Sequence, residues 1–145
     1  MNVFIRTVDL AAIPTGPYVL LVDDEIESVR PLGELVRHAG YASIAARSAH
    51  DALACCVRKR PSVVVTDLVM PSKDGRDLAI RVRRRHPSVP IMLVTGQDLD
   101  RPAWTVPAGL FHAIFAKPLD FDRFVRTLTA FMGPTRRKGP ARDRA

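Results

Sequence analysis

The sequence predicts an α/β fold in which a parallel β-sheet of five strands is covered by helices on both faces. Three observations predict this fold: short continuous apolar runs, amphipathic segments between them, and the strict alternation of the two along the chain. Apolar runs without polar alternation are typical of strands that are buried on both faces of a parallel sheet. The chain has 145 residues, which is enough for one domain with an apolar core.

The five predicted strands differ in clarity. Residues 18–22 form an uninterrupted apolar run that ends at acidic residues, and two later runs are similar. Strands two and five are weaker candidates. In chain order, the predicted strands are 18–22, 41–45, 62–66, 89–94 and 111–115.

Apolar residues spaced three and four apart predict the helices. In the first helix this spacing continues to Ala39, and Gly40 is typical of the residue that follows a helix. Ser48 is a typical N-cap, and Asp74 or Gly75 opens the next helix. A continuous apolar stripe after Asp120 gives the clearest pattern. The predicted helices are 26–39, 48–58, 74–85 and 121–132.

Composition and charge divide the chain into three parts. Residues 1–17 are expected to be a loose N-terminal leader, and residues 18–132 the folded domain. Residues 133–145 carry +4 of the net charge of +7 and are interrupted by Gly and Pro, so a disordered basic tail is expected. Arg81, Arg83–Arg85 and His86 are interpreted as a solvated face at a helix end.

The cysteine usage and the apolar runs indicate the cellular compartment. Cys55 and Cys56 are adjacent, and a disulfide between neighbours is badly strained, so both are expected to be free, small apolar residues of a buried helix face. No apolar run approaches the ~18 residues of a membrane span. We therefore expect a cytoplasmic protein without a membrane segment.

Polar residues follow four of the predicted strands at the points where the strands end. Asp23 and Asp24 follow the first strand, Asp67 the third, Thr95 the fourth and Lys117 the fifth. Because the carboxyl ends of parallel strands lie side by side, these residues are expected to converge at the edge where such folds bind ligands. Each one alone is more easily interpreted as a cap, a turn residue or a surface charge, but together they predict a site.

Three carboxylates in one partly dry site repel one another and need a cation at neutral pH. Oxygen ligands with room for water fit Mg²⁺ better than zinc, since the sequence contains no cluster of His and Cys. The Asp67 carboxylate is then the expected nucleophile toward a phosphoryl group. Lys117 and the Thr95 hydroxyl are expected to hold the remaining phosphoryl oxygens.

Four segments at strand ends resemble the receiver domain of two-component response regulators, and the resemblance spans residues 18–132. They are Leu-Val-Asp-Asp-Glu at 21–25, Thr-Asp-Leu-Val-Met-Pro-Ser-Lys-Asp-Gly at 66–75, Val-Thr-Gly at 94–96 and Ala-Lys-Pro-Leu at 116–119. The resemblance implies a flavodoxin-like sheet with strand order 2-1-3-4-5. It also implies a single-domain response regulator that is no enzyme, because it would catalyse only its own phosphorylation and dephosphorylation.

The resemblance implies a role for each site residue. Asp67 would be phosphorylated, Thr95 and Lys117 would contact the phosphoryl group, and Pro118 would shape the turn that aims the lysine. The implied partners are a sensor histidine kinase or phosphotransfer protein and a downstream protein target. The implied Mg²⁺ ligands are the carboxylates of Asp24 and Asp67, that of Asp23 directly or through water, and the backbone carbonyl of Val69.

Two departures from the family pattern stand out. The switch position that works with Thr95 is usually aromatic but is Ile114 here, so Phe115 or Phe111 is considered as a substitute. The segment 99–109, where the family has its fourth helix, contains two prolines, and an interior proline costs about 3 kcal/mol. That segment is expected to be short, irregular or mobile, with Trp104 exposed near it.

Three functions are compared. The leading hypothesis is a phosphorylation-controlled switch that signals by binding partners or relaying phosphate. The alternative is a protein-interaction module with the same fold that no longer depends on phosphate, which Ile114 and the prolines favour. A third hypothesis, nucleic-acid binding through the basic tail, is weak because the tail has no interleaved aromatic residues and no helix for a groove.

Overall fold

A five-stranded parallel sheet forms the centre of the computed structural model, which describes residues 8–70 and 74–134. The spatial order is β2-β1-β3-β4-β5, as predicted. The strand bounds lie within two residues of the predicted ones. The strands are β1 (Tyr18–Val22), β2 (Ala42–Ala46), β3 (Val63–Thr66), β4 (Ile91–Thr95) and β5 (Ala113–Ala116).

Within the described part of the chain, four α-helices cover the sheet: α1 (Ile26–His38), α2 (Ala49–Arg58), α3 (Gly75–Arg85) and α4 (Phe121–Met132). Side chains cap three of these helices at their N-termini, and the prediction of Ser48 as an N-cap is confirmed. Ser48 accepts a hydrogen bond from the Asp51 N–H, Asp74 from two backbone N–H groups of α3, and Asp120 from the Arg123 N–H. Pro31 lies at the sixth residue of α1, deeper in the helix than the first turn where a proline is best tolerated.

Successive strand residues point to opposite faces of the sheet and divide the core into two apolar layers. Leu20, Val64 and Leu93 belong to the layer under α2 and α3. Leu21 and Val94 belong to the layer under α1 and α4. Cys55 and Cys56 form no disulfide and are buried in the first layer, as expected. The carboxyl ends of all five strands therefore lie at one edge, between the two helical layers.

The segment between β4 and β5 contains only a short 3₁₀ helix, Pro102–Trp104, which confirms the prediction of a short, irregular element. Trp104 differs from the expectation of an exposed ring. It is partly buried because it packs against the core layer under α2 and α3.

The described part of the predicted leader, residues 8–17, is not loose. Val8 is buried, and Leu10 and Ile13 pack against the core layer under α2 and α3. Lys59, at the end of α2, donates hydrogen bonds of 2.6 Å to the carbonyl oxygens of Pro14 and Gly16. These contacts correct the expectation for residues 8–17, while residues 1–7 lie outside the described ranges.

Two members of the basic cluster at the end of α3 face the protein instead of solvent. Arg83 donates to the carbonyl oxygens of Gly109 and Leu110, and the His86 Nε2 lies 3.1 Å from the Cys56 carbonyl oxygen. Arg81, Arg84 and Arg85 are exposed, as expected. The predicted tail lies outside the described residues except for its first two.

No helix within the described ranges combines the length and apolar character needed to cross a lipid bilayer.

Candidate functional site

The sheet ladder carries the candidate residues to one edge. The Asp23 N–H donates to the Ala46 carbonyl and the Asp67 N–H to the Val22 carbonyl, each at 3.1 Å, so the ladder continues one residue beyond β1 and β3. The Lys117 N–H likewise donates to the Thr95 carbonyl at 2.9 Å. The side chains of Asp23, Asp67 and Lys117, which follow three separate strands, therefore start at the same edge of the sheet.

The Lys117 ammonium lies between two carboxylates. Its Nζ is 3.6 Å from Asp67 Oδ2 and 3.8 Å from Asp23 Oδ2. The Asp23 side chain is 6% exposed and that of Asp67 is 16% exposed, so both charges are largely shielded from water. The peptide bond between Lys117 and Pro118 is cis. Three residues that are far apart in sequence thus form one compact charged group.

The Asp24 carboxylate adds a further negative charge near this group of Asp23, Asp67 and Lys117. Burial raises the pKa of the Asp23 carboxyl to about 6, although the hydrogen bond that it accepts from the Glu25 N–H lowers this pKa. The carboxylates of Asp67 and Asp24 raise it further, and Lys117 lowers it. One ammonium among three carboxylates leaves net negative charge in a partly dry site, which an added cation would relieve.

Asp67 makes hydrogen bonds and a close contact within its own loop and with the start of α3. Its Oδ1 accepts a hydrogen bond of 2.7 Å from the Leu68 N–H, and its carbonyl oxygen accepts one of 2.8 Å from the Thr66 hydroxyl. Gly75 packs directly against it, because a Cβ at this position would lie 2.2 Å from the Asp67 carbonyl oxygen. The Gly75 N–H also donates to the Leu68 carbonyl at 2.7 Å. Only glycine fits this approach of α3 to the end of β3.

Thr95 is buried at the end of β4, with 1% of its surface exposed. Its Oγ1 accepts a hydrogen bond of 3.1 Å from the Gln97 N–H, which fixes the side chain. Because the hydroxyl acts as acceptor in this bond, its hydrogen is free to be donated to another group. Thr95 pairs with Ala116, the residue before Lys117, so the hydroxyl and the ammonium belong to neighbouring strand ends.

Asp24 and Val69 lie next to Asp67 in an open cleft. These three residues line one open cleft together with Glu25 and Met70. Within the described ranges, no group of three or more His, Cys, Asp or Glu side chains could hold a metal ion by itself. The cleft nevertheless offers carboxylate and carbonyl oxygens and is open to water, and this donor set fits Mg²⁺. A bound Mg²⁺ would need water in addition to oxygen atoms of the protein.

The residues considered for the switch are separated by the sheet. Ile114 pairs with Leu93, so it shares a face with Thr95, and it is 38% exposed. Phe115 lies in the opposite layer, with its ring centroid 5.6 Å from that of Phe124. Phe111 is on the Thr95 side but before the start of β5. Phe115 therefore cannot replace an aromatic ring behind Thr95.

Two contributions were not found by sequence reasoning. Gly75 was considered as a residue that could open a helix, and its close approach to Asp67 was not predicted. Arg76 was not singled out, although its guanidinium contacts Asp74 and the carbonyl oxygens of Ala103 and Thr105. The contacts of Arg76 join segments 27 and 29 residues apart, and no local pattern signals them.

The fold and the strand-end residues define a class of signalling domain, and comparison with known proteins agrees with it. The sequence matches the family described as "Response regulator receiver domain" over residues 19–129. The chain belongs to the response regulator receiver domain family.

Relatives with curated descriptions and solved structures share this domain. The transcriptional regulatory protein ZraR of Salmonella typhimurium is 33% identical over 122 residues, which cover 83% of this chain and 27% of ZraR. The probable transcriptional regulatory protein TcrX of Mycobacterium tuberculosis is 31% identical, over 81% of this chain and 50% of TcrX. The chain thus spans half or less of these relatives.

A solved structure has the same fold over most of both chains. The signal receiver domain of an HD domain-containing protein from Pseudomonas fluorescens Pf-5 superposes with a TM-score of 0.73 and 26% identity. The superposition covers 83% of this chain and 90% of that chain. The receiver fold predicted from the sequence is confirmed.

Proposed function

We propose that this receiver domain accepts a phosphoryl group on Asp67 from a phosphohistidine of a sensor histidine kinase or phosphotransfer protein, in a Mg²⁺-dependent reaction. It then signals to a downstream protein by conformational change or by relay of the phosphate. The position of the Lys117 ammonium, 3.6 Å from the Asp67 carboxylate and 3.8 Å from that of Asp23, carries the proposal.

The proposed reaction uses groups that are already in place. A carboxylate oxygen of Asp67 forms a bond to phosphorus, and the bond from phosphorus to the histidine nitrogen of the donor breaks and leaves its electron pair on that nitrogen. Lys117 balances the charge of one phosphoryl oxygen, and the Thr95 hydroxyl donates its free hydrogen to another. Hydrolysis of the acyl phosphate would return Asp67 to its starting state.

Mg²⁺ would be held by the carboxylates of Asp23, Asp24 and Asp67 and by the carbonyl of Val69. When bound, it would supply neutralising charge to the phosphoryl group and to the crowded carboxylates. The raised pKa of Asp23 supports this assignment, since burial and like charges disfavour its ionised form until a cation is added.

Labelling with a small phosphodonor tests the proposal. The purified protein is treated with acetyl phosphate and Mg²⁺, and its intact mass is measured. We expect one added phosphoryl group in the parent and none in Asp67→Asn or when Mg²⁺ is chelated. Asp100→Asn, an exposed loop carboxylate, is the matched control and should be labelled like the parent. Labelling of Asp67→Asn at the parent level would contradict the assignment.

The alternative is a protein-interaction module that keeps the receiver fold without depending on phosphate. Ile114 at the switch position and the irregular segment around Pro102–Trp104 favour it. The same experiment separates the two functions, because a module of this kind would show neither Mg²⁺ binding nor labelling.

The organisation of the chain is part of the proposal. Residues 18–132 would form the receiver domain of a cytoplasmic signalling protein, and residues 133–145 a basic tail that gives at most weak, salt-sensitive contact with nucleic acid. Deletion of residues 133–145 should remove any retention on DNA and leave labelling of Asp67 intact. Retention that survives the deletion would contradict the assignment to the tail.

A further inference from the structure

The Arg76 side chain joins the start of α3 to the irregular segment between β4 and β5. Its Nη1 donates hydrogen bonds of 3.2 Å and 2.9 Å to the carbonyl oxygens of Ala103 and Thr105. Its guanidinium carbon lies 5.7 Å from the centroid of the Trp104 ring. One arginine thus contacts three consecutive residues of a segment that has no α-helix to hold its shape.

Asp74 fixes the orientation of the Arg76 guanidinium. Its Oδ2 accepts hydrogen bonds from Arg76 Nε at 3.1 Å and Nη2 at 2.7 Å, which leaves Nη1 directed at the carbonyl oxygens. Partial burial alone would raise the pKa of Asp74, but Arg76 and the backbone N–H groups at the start of α3 lower it below its ordinary value. The carboxylate is therefore ionised at neutral pH and holds the arginine.

The same end of α3 is in direct contact with Asp67. Gly75, between Asp74 and Arg76, packs against the Asp67 carbonyl oxygen so closely that a Cβ would not fit. Its N–H donates to the carbonyl of Leu68, the residue after Asp67. A displacement of the Asp67 backbone would be passed to Gly75 and to both of its neighbours, because no space separates the two backbone segments.

We propose that Arg76 is a latch that holds segment 102–105 closed and that phosphorylation of Asp67 opens it. The inference rests on the proposed function, since it requires Asp67 to be the phosphorylated residue. The surface that changes between the two states is the Trp104 ring with the carbonyl groups on either side of it.

We expect the latch to open because its two hydrogen bonds allow little displacement before they are lost. Bonds of 2.9 Å and 3.2 Å are lost when α3 moves so that the distances exceed about 3.5 Å. In the proposal, the Asp67 loop adjusts to a bound phosphoryl group, and the contact with Gly75 passes this adjustment to Arg76. Segment 102–105 then loses the donor shared by two of its carbonyl oxygens.

Trp104 reports the state of the latch directly, because it is the only tryptophan of the chain. Acrylamide quenching of its fluorescence is measured before and after treatment with acetyl phosphate and Mg²⁺, and intact mass is recorded on the same samples. The test variant is Arg76→Met. The matched control is Arg81→Met, which removes an exposed arginine of the same helix. Arg76→Lys is a second test variant, because it keeps the positive charge but lacks the planar guanidinium with its several N–H donors.

In the parent, phosphorylation should raise the quenching constant roughly two-fold, since a partly buried indole becomes exposed by local opening. Arg76→Met should show the raised value without phosphate, Arg76→Lys an intermediate value, and Arg81→Met the behaviour of the parent. A parent that gains the phosphoryl mass with unchanged quenching refutes the latch and leaves the proposed function intact. Equal quenching of unphosphorylated Arg76→Met and Arg81→Met also refutes it. A parent that gains no mass refutes the proposed function, and the latch with it.

Discussion

Replacement of Asp23 by Asn should stabilise the protein in the absence of divalent ions. Asp23 is buried, and its pKa is raised to about 6 by burial and by neighbouring carboxylates. Since one pKa unit corresponds to about 1.4 kcal/mol, the rise from 3.8 corresponds to about 3 kcal/mol of destabilisation at neutral pH. An amide differs from a protonated carboxyl in its hydrogen bonds, so we expect a gain of roughly 1–3 kcal/mol.

The raised pKa of Asp23 also predicts how the stability of the parent changes with pH. Between pH 3.8 and about 6 the folded protein binds more protons at Asp23 than the unfolded chain does, so its stability falls as pH rises through this range. Asp23→Asn lacks this contribution. The difference in stability between variant and parent should therefore grow from about pH 4 to pH 6 and stay constant above it.

Urea denaturation in EDTA at several pH values measures this difference, with Asp100→Asn as the control for loss of an exposed loop carboxylate. Added Mg²⁺ should raise the stability of the parent more than that of Asp23→Asn, because binding to the folded state stabilises it by mass action. An Asp23→Asn protein that is no more stable than the parent at pH 7.5 in EDTA would refute the electrostatic reasoning.

Three further predictions address packing and titration. Gly75→Ala should lower stability by about 1–3 kcal/mol in urea denaturation, because its Cβ would meet the Asp67 backbone, while Gly33→Ala inside α1 should not destabilise. Leu128→Ala should cost about 2–5 kcal/mol by the same measurement, since the side chain is fully buried; a loss below 1 kcal/mol would contradict its placement. Partial burial and Arg83 lower the pKa of His112, so stability should fall as pH drops below about 6.5, and His112→Gln should lose that dependence.

The number and order of the strands were predicted correctly from the sequence, whereas the residues at which some strands begin were not. The run from Val89 predicted a strand of its own length, but Pro90 has no N–H to donate, and β4 begins at Ile91. The fifth strand begins at Ala113, because Phe111 is apolar for a different reason: it fills the core layer under α2 and α3. An apolar run indicates which residues are buried. Hydrogen bonding to a neighbouring strand decides which of these residues belong to the β-strand.

The candidate site was predictable for a geometric reason. Residues that directly follow parallel strands lie at the same edge of the sheet. The proximity of Asp23, Asp67 and Lys117 could therefore be predicted without knowing any side-chain position. The contacts of Arg76, and those of Lys59 with residues 14 and 16, depend on how loops pack after the sheet has formed. Such contacts leave no periodic trace in the sequence.

Two routes lead from Asp67 to the protein surface, and their contacts differ. Toward β5, the route passes Lys117 and Thr95 and ends at Ile114, which is 38% exposed and carries no ring that could turn inward. Toward α3, it passes Gly75 through backbone contact and reaches Arg76, whose hydrogen bonds are broken by a small displacement. Because a close-packed contact transmits movement better than an exposed aliphatic side chain does, we expect the α3 route to be the better coupled of the two. Loss of Arg76 should therefore disturb signalling more than Ile114→Ala does.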